Sequence, residues 1–177
     1  MQDFPPIQTE RLILRPFQAD DLYFTFQHFS DPQVAQYLLD EPPVTDMSQA
    51  QEIVQFYLDS AGKPYNRWMI VTKADSQRIG TCGFHKCNKS HQRAEIGYDL
   101  SPKAWRQGYM QEALFAAIQF GFTQMKLHRI EALVYPENMQ SLHLLHKLGF
   151  KQEGVLRDYF YLDGKFYDHI MLSLIKA

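Results

Sequence analysis

The sequence predicts an α/β protein of the mixed α+β kind: a mostly antiparallel twisted sheet of about seven strands, flanked by helices, in one domain over residues 1–177. Three observations predict it. Three strand-like runs follow one another after Arg67, a strand-helix-strand unit runs from Glu95 to Tyr135, and Asp163-Gly164 is a strong hairpin signal near the end. Short connections favour antiparallel neighbours, whereas a helical crossover makes its two strands parallel.

The first third of the chain predicts one strand and three helices. Residues 9–17 alternate apolar and charged positions, which is typical of a half-buried strand. Helical patterns follow over 19–29 and 31–38, the second with Asp31 as its N-cap. After a turn at 40–46, Ser48 is predicted to cap a third helix that reaches Leu58.

The rest of the chain predicts the sheet proper. The strand-like runs are "RWMIVTK", "RIGTCGFHK" and "AEIGYDL", followed later by "HRIEALVY". Apolar residues from Met110 to Met125 recur at helical spacing, and "NMQSLHLLHKLGF" predicts a helix that ends at Gly149. The predicted order is therefore β-α-α-α-β-β-β-α-β-α-β-β.

Composition excludes several classes of function. The formal net charge of the 177 residues is -2, which gives no electrostatic basis for binding nucleic acid or a membrane surface. No apolar run reaches membrane length, and the N-terminus predicts no signal peptide. Cys82 and Cys87 fit neither a disulfide framework nor a zinc site, and His143 with His146 lack a third ligand, so no metal is expected. We therefore expect a reduced, cytoplasmic protein.

The segment "LSPKAWRQGYMQEAL", residues 100–114, is the first candidate site. The free N–H groups and the dipole of a helix N-terminus favour an anion, and Gly108 lets a ligand approach the backbone. Lys103 and Arg106 can add charge-assisted bonds. Read alone, the segment favours an ordinary entry into a helix, because one glycine is a weaker signal than a glycine-rich fingerprint.

Three segments together resemble the GNAT N-acetyltransferases, and within them the RimJ/RimL subgroup, which acetylates protein N-termini. They are "TERLILRPF", "AEIGYDLSPKAWRQGYMQEA" and "NMQSLHLLHKLGFKQEGVLRD", in that order. The resemblance implies a mixed sheet in which the parallel fourth and fifth strands splay apart. It also implies that the pantetheine arm of acetyl-CoA lies in that gap, with its pyrophosphate on the following loop and helix start.

The resemblance also implies a set of cofactor-binding residues. Leu100 and neighbouring backbone would pair with the pantetheine amides, and the phosphate loop would comprise Gln107, Gly108, Tyr109, Met110, Gln111 and Glu112, acting mostly through N–H groups. The usual W-G-K-G-Y-A is W-R-Q-G-Y-M here. Arg106 therefore either clamps a phosphate or crowds the loop, and Met110 falls in the apolar row of its helix.

The later helix carries two further residues implied by the resemblance. Asn138 matches an asparagine used against the cofactor arm and also suits an N-cap. Leu145 occupies the place of the tyrosine that protonates the departing thiolate in many relatives, so Ser141 is the candidate acid, with a packing role as the alternative.

The chemistry needs a neutral amine. Near pH 7 roughly a tenth of an α-amino group is neutral, against a few molecules per ten thousand for a lysine-type amine. Glu95 is the candidate base; the alternative is an exposed carboxylate paired with a neighbour such as Arg93. Asp99, on the same face of the strand, is the second choice.

The sequence thus predicts an acetyl-CoA-dependent N-acetyltransferase that acts on a protein N-terminal α-amine by direct attack in a ternary complex, as a monomer or homodimer. The alternatives are a polyamine or antibiotic acetyltransferase, and a non-catalytic acyl-CoA-binding regulatory module. Residues 30–65 are expected to form part of the acceptor wall.

Overall fold

The computed structural model describes residues 4–38 and 42–176. In this part of the chain the helices are α1 (Leu22–Phe29), α2 (Pro32–Ala35), α3 (Met47–Leu58), α4 (Tyr109–Thr123) and α5 (Met139–Lys147). The strands are β1 (Ile7–Gln8), β2 (Leu12–Pro16), β3 (Trp68–Thr72), β4 (Arg78–Asn88), β5 (Arg93–Leu100), β6 (Arg129–Val134), β7 (Lys151–Leu162) and β8 (Lys165–Ile175).

All eight described strands form one sheet in the order β1-β2-β3-β4-β5-β6-β8-β7. Only β5 and β6 pair in parallel, and α4 crosses between them. The predicted order of elements is confirmed, with one addition: the two-residue β1 extends the expected seven strands to eight. Too short to show an alternating pattern, β1 pairs with β2 at the edge of the sheet.

Helices cover both faces of the sheet. Alternate residues of β3 belong to two apolar clusters, because successive side chains of a strand point to opposite faces. Trp68 and Ile70 pack in the cluster that contains α4, whereas Met69 and Val71 pack with Val54 of α3. The sheet therefore separates α4 and α5 from α1 and α3.

The helix boundaries follow from their caps. The Asp31 carboxylate accepts a hydrogen bond from Gln33 N at 2.8 Å, which confirms the predicted N-cap of α2. The predicted cap of α3 is wrong, because the Asp46 carboxylate accepts from the backbone N–H groups of Ser48 and Gln49 at 2.9 and 3.0 Å. Both bonds end on the same oxygen, Asp46 Oδ1, and Asp46 has the extended backbone of an N-cap residue, whereas Ser48 already lies within the helix. Residues 40 and 41 of the predicted turn lie outside the described residues.

Three residues with positive φ angles end elements as predicted. Gly149 follows α5 with a φ of 92°, the left-handed conformation that closes a helix with glycine at C′. Asp163 and Gly164 have φ angles of 50° and 79°, which fit the tight turn joining β7 and β8.

Candidate active site

A cleft of about 1230 Å³ opens where β5 and β6 separate. Its walls come from α1–α3 and β4 on one face of the sheet and from the loop before α4 and from α5 on the other. Phe160 and His169 of the closing hairpin complete it. Pro42, Tyr57 and neighbouring residues of the predicted acceptor wall line the cleft, while residues 39–41 of that segment lie outside the described residues.

The gap leaves a row of backbone groups on β5 without a strand partner. Pairing with β6 stops at Glu95 and Glu131. Ser101 N donates to Ile79 O beside β4, and Gln92 O accepts from His128 N beside β6, so even-numbered residues of β5 direct their backbone groups toward β6. Beyond the pairing, Ile96, Tyr98 and Leu100 therefore face the gap; the Leu100 carbonyl accepts from Trp105 Nε1 at 2.7 Å.

The start of α4 offers free backbone donors to the same cleft. Gly108 is the N-cap residue and has a φ of 79°, a conformation that costs other residues about 1–2 kcal/mol. Tyr109, Met110 and Gln111 occupy the first turn, whose N–H groups have no partner within the helix. These three residues and Gly108 line the cleft.

Two members of the expected phosphate loop have other roles. Glu112 N donates to Gly108 O at 3.1 Å, so this N–H is the first one used by the helix itself. The Glu112 carboxylate accepts from Thr9 Oγ1 at 2.6 Å and from Arg11 N and Nε at 2.7 Å. The carbonyl of Gln107 accepts from Arg11 Nη1 at 2.9 Å. Glu112 thus uses its N–H within the helix, and the carbonyl of Gln107 anchors the loop to Arg11.

Arg11 contacts this loop and was not predicted from the sequence. Besides its bonds to Gln107 and Glu112, its guanidinium lies 4.5 Å from the ring centre of Tyr109. Its Nη2 is 3.4 Å from the position that a Cβ on Gly108 would occupy. Arg11 therefore places a cation beside the helix start from a position just before β2, almost one hundred residues earlier in the chain.

Arg106 and Met110, which depart from the usual loop sequence, differ in orientation. Arg106 lines the cleft with a φ of 61°, in the left-handed region where glycine is favoured. Met110 is 7% exposed and packs in the core, so it leaves its N–H to the cleft as its position in the apolar row predicts.

On α5, the side chain of Asn138 caps the helix by accepting from Ser141 N at 3.1 Å. The Ser141 hydroxyl lies 2.6 Å from the Tyr98 hydroxyl, which connects α5 to the splayed part of β5. Burial raises the pKa of Tyr98, so its phenol stays protonated. Leu145 is fully buried in the core. The phenol that contacts Ser141 belongs to Tyr98.

Glu95 lies on the opposite face of β5, in contact with His85 and Lys86. Its Oε1 accepts from His85 Nε2 at 2.8 Å and its Oε2 from Lys86 Nζ at 3.1 Å. Burial alone would raise the pKa of Glu95, but these two partners outweigh burial and lower it. Arg93, considered from the sequence as its partner, pairs with Glu131 instead at 2.8 Å. Because the carboxylate accepts Nε2–H, neutral His85 carries a lone pair on Nδ1.

Asp99 is a structural centre rather than a base. Its carboxylate contacts His28 Nε2 at 2.6 Å, Thr81 N at 3.0 Å, Thr81 Oγ1 at 2.7 Å and the guanidinium of Arg67. Burial favours the neutral acid, yet Arg67 and His28 hold the pKa of Asp99 far below its usual range. A carboxylate so strongly ionised has little tendency to take a proton from an amine.

Within residues 4–38 and 42–176 no three His, Cys, Asp or Glu side chains cluster closely enough to hold a metal ion. No helix in the same ranges is long and apolar enough to cross a membrane.

Known proteins share this architecture. Residues 11–151 match the domain described as "Acetyltransferase (GNAT) domain". An uncharacterized N-acetyltransferase, p20 of Bacillus licheniformis, is 43% identical over 96% of each chain. Spermidine N(1)-acetyltransferase of Escherichia coli K12 is 27% identical over 92% of this chain and 85% of its own. The [ribosomal protein uS5]-alanine N-acetyltransferase of that organism is 35% identical over 59% of this chain and 50% of its own.

Solved structures agree. A GNAT-family acetyltransferase of Bacillus anthracis, 28% identical, superimposes with a TM-score of 0.85 over 96% of this chain and 98% of its own. The spermidine N-acetyltransferase of Vibrio cholerae, solved with CoA and spermine, has the same fold at 23% identity, with a TM-score of 0.83 over 94% and 96% of the two chains.

The splayed parallel strands and the facing helix N-terminus fit an acyl-CoA-dependent transferase, the class to which the matching domain belongs. The chain belongs to the GNAT family and is an N-acetyltransferase. Its co-substrate is acetyl-CoA, which the cleft fits: open backbone groups on β5 suit an amide-containing arm, and the glycine-led helix start suits a pyrophosphate.

Replacing Gly108 by alanine is expected to weaken CoA binding about tenfold or more, because the new Cβ requires a different backbone angle where the phosphate approaches. Gly164 provides a matched control, since it also has a φ of 79° but lies in the β7–β8 turn with nothing within 4 Å of a new Cβ. Titration calorimetry with CoA measures both variants. Equal affinity in the two, with both folded, would place the pyrophosphate elsewhere.

Proposed function

We propose that the protein acetylates the α-amine at the N-terminus of a protein or peptide in the cytoplasm, in the manner of the RimJ/RimL subgroup. The observation that supports this proposal is the charge balance at the bottom of the cleft, on its acceptor side. Both carboxylates there, Glu95 and Asp99, are already paired with cations. Such a surface offers no unpaired negative charge to a polycation but accommodates one amine, and an α-amine needs little help to become neutral.

The cofactor side would be bound mainly through backbone. We assign the pyrophosphate to the N–H groups of Gly108, Tyr109, Met110 and Gln111, with Arg11 beside them. Leu100 N–H and the backbone of Tyr98 and Ile96 would pair with the pantetheine arm. When bound, acetyl-CoA supplies a thioester carbonyl, and an N–H of splayed β5 would stabilise the oxyanion that forms on attack. No covalent intermediate on the protein is required, because the reactants are held together in one cleft.

On the acceptor side we assign the proton transfer to His85 and Glu95 together. Glu95 was expected to be the base, but its carboxylate contacts His85 and Lys86. His85 has a side chain 37% exposed and lines the cleft. In this assignment Nδ1 takes the proton of the amine directly or through water, while Glu95 fixes the tautomer and stabilises the imidazolium, as in other carboxylate–histidine pairs.

On the cofactor side the Tyr98–Ser141 pair is the proposed donor to the departing thiolate. The two hydroxyls form a short relay at 2.6 Å, and the phenol is protonated throughout the neutral range. The role expected for Ser141 is thereby kept and is shared with Tyr98. The alternative, a serine that only packs against β5, predicts no effect on turnover.

Ser141→Ala and Tyr98→Phe are each expected to lower kcat roughly tenfold and to leave the KM for acetyl-CoA nearly unchanged. The effect is modest because a thiolate, with a conjugate-acid pKa of about 8.5, leaves readily without a strong acid. Ser173→Ala is the control, since that hydroxyl also donates at 2.6 Å, to Glu153, but outside the cleft. A kcat equal to that of the control would return Ser141 to a packing role.

Polyamine acetylation is the second candidate. Glu52 and Glu137 line the cleft away from its base and can attract a distant ammonium group, and one relative named above is a spermidine N(1)-acetyltransferase. A non-catalytic acyl-CoA-binding module is the third. One screen separates them: acetyl-CoA-dependent thiol release with N-terminal peptides, spermidine and aminoglycosides. Preference for peptides supports the proposal, preference for spermidine replaces it, and CoA binding without turnover on any amine indicates the module.

A further inference from the structure

Arg67 is a fixed cation at the acceptor side of the cleft. Its Nε donates to Thr81 Oγ1 at 2.7 Å and its Nη2 to the Asp99 carboxylate. The side chain is only 16% exposed. Burial opposes the charge, but Asp99 outweighs it and raises the pKa of Arg67, so the guanidinium stays protonated. Two of its three nitrogens are thus used to hold the group in one orientation.

The third nitrogen, Nη1, faces the cleft over Gly97. It lies 3.1 Å from the position that a Cβ on Gly97 would occupy, and the described part of the chain gives it no hydrogen-bond partner. The space exists because residue 97 is a glycine. The same position is 3.5 Å from Nδ1 and 3.0 Å from Cε1 of His85. A hydrogen-bond donor and the proposed proton acceptor therefore border one small space.

We propose that Arg67 Nη1 donates to a carbonyl oxygen on the carbon that follows the amine-bearing carbon, and that the acceptor of this enzyme is therefore an α-amino acyl group. The inference rests on the proposed acetyl transfer. In an α-amino acyl group the nitrogen and the carbonyl oxygen are three bonds apart, so both can face His85 and Arg67 at once. An alkylamine without the oxygen offers this guanidinium nitrogen no hydrogen-bond acceptor, and a polyamine brings a second cation toward it.

Both a peptide N-terminus and a free α-amino acid have this chemistry. Their oxygens differ in charge, since the peptide presents a neutral carbonyl and the amino acid a carboxylate. Glycinamide, glycylglycine amide and glycine therefore serve as separate probes. The reference amine is 2,2-difluoroethylamine, which lacks the oxygen and whose fluorines lower the basicity of the amine toward that of an α-amino group.

The test compares kcat/KM ratios, measured by thiol release with saturating acetyl-CoA. Wild-type protein is expected to prefer at least one α-amino acyl probe to difluoroethylamine. Arg67→Lys keeps a cation against Asp99 but cannot also reach over Gly97, so this preference should fall about 10- to 100-fold. Arg93→Lys is the control, because Arg93 pairs with Glu131 outside the cleft, and it should retain the wild-type ratio.

The possible outcomes separate the role of Arg67 from the proposed acetyl transfer. Equal rates for all probes in the wild type, or an unchanged ratio in folded Arg67→Lys, overturns the role of Arg67 while acetyl transfer stands. No turnover of any amine by the wild type refutes the proposed function itself. If Arg67→Lys does not fold, Gly97→Ala takes its place, because the added methyl group occupies the shared space while Arg67 and Asp99 both keep their side chains. Its ratio must then fall toward one; a ratio kept at the wild-type value overturns the inference.

Discussion

His85→Ala is expected to lower kcat/KM about tenfold for a peptide α-amine and about a thousandfold for a lysine-type amine near pH 7. Without a proton acceptor, only amines that arrive neutral can react, and the neutral fractions differ by that much. The rate of the variant should keep rising with pH until the amine itself is neutral. Thiol release measured from pH 6 to 10 with both amines checks the prediction.

Glu95→Gln should lower kcat/KM less than His85→Ala does, again more for the lysine-type amine than for the α-amine. The amide still accepts Nε2–H but no longer stabilises the imidazolium. His91→Ala is the control, an exposed histidine beside Asn88 outside the cleft. If His85→Ala has the wild-type rate with both amines and an unchanged pH profile, the amine loses its proton to solvent or to another group.

Asp99→Asn is expected to lower the free energy of unfolding by about 3–5 kcal/mol, the typical cost of removing one partner of a buried ion pair. The Asp99 side chain is 2% exposed, and its loss leaves the charge of Arg67 buried without compensation. Urea unfolding measures the change. Asp20→Asn is the matched control, since Asp20 also pairs with an arginine, Arg78, but is 70% exposed, and its effect should stay below about 1 kcal/mol.

The pH dependence of stability provides a second test of the role of Asp99. The pKa of Asp99 is depressed in the folded protein, so its contribution is fully present above the unfolded value of about 3.9 and is lost as the pH falls toward the folded value. The stability difference between wild type and Asp99→Asn should therefore narrow in acid. A difference that is constant from pH 6 to 2, or a loss below 1 kcal/mol at pH 7, contradicts the role of Asp99 as the buried counter-charge.

The sequence predicted those parts of the fold that local patterns encode. Alternation and helical spacing identified β2–β8 and the five helices, and the left-handed residues Gly149 and Asp163-Gly164 marked their ends correctly. The cap of α3 was assigned to Ser48 instead of Asp46 because both are good caps two residues apart. The two-residue β1 shows no period of its own, and only its pairing with β2 defines it.

The sequence likewise predicted only one part of the candidate site. The loop around Gly108 was recognisable because its residues are contiguous. The acceptor side was not, because its groups come from distant segments: the carboxylate of Asp99 joins His28 of α1 with Arg67 just before β3. Alternation placed Glu95 and Asp99 on one face of β5, but their partners depend on the register with β4. That register sets His85 opposite Glu95, and no local pattern specifies it.

The two sides of the gap between β5 and β6 tolerate different kinds of amino-acid substitution. The groups proposed to hold acetyl-CoA are mostly backbone atoms, which substitutions hardly alter, whereas the acceptor wall is built from side chains of α1–α3, β4 and the closing hairpin. Mutation can thus remodel the wall one residue at a time while the backbone groups proposed to hold acetyl-CoA are inherited unchanged. Relatives with one fold can in this way diverge toward different amines, and transplanting the wall segments between them offers a direct route to redirecting acceptor choice.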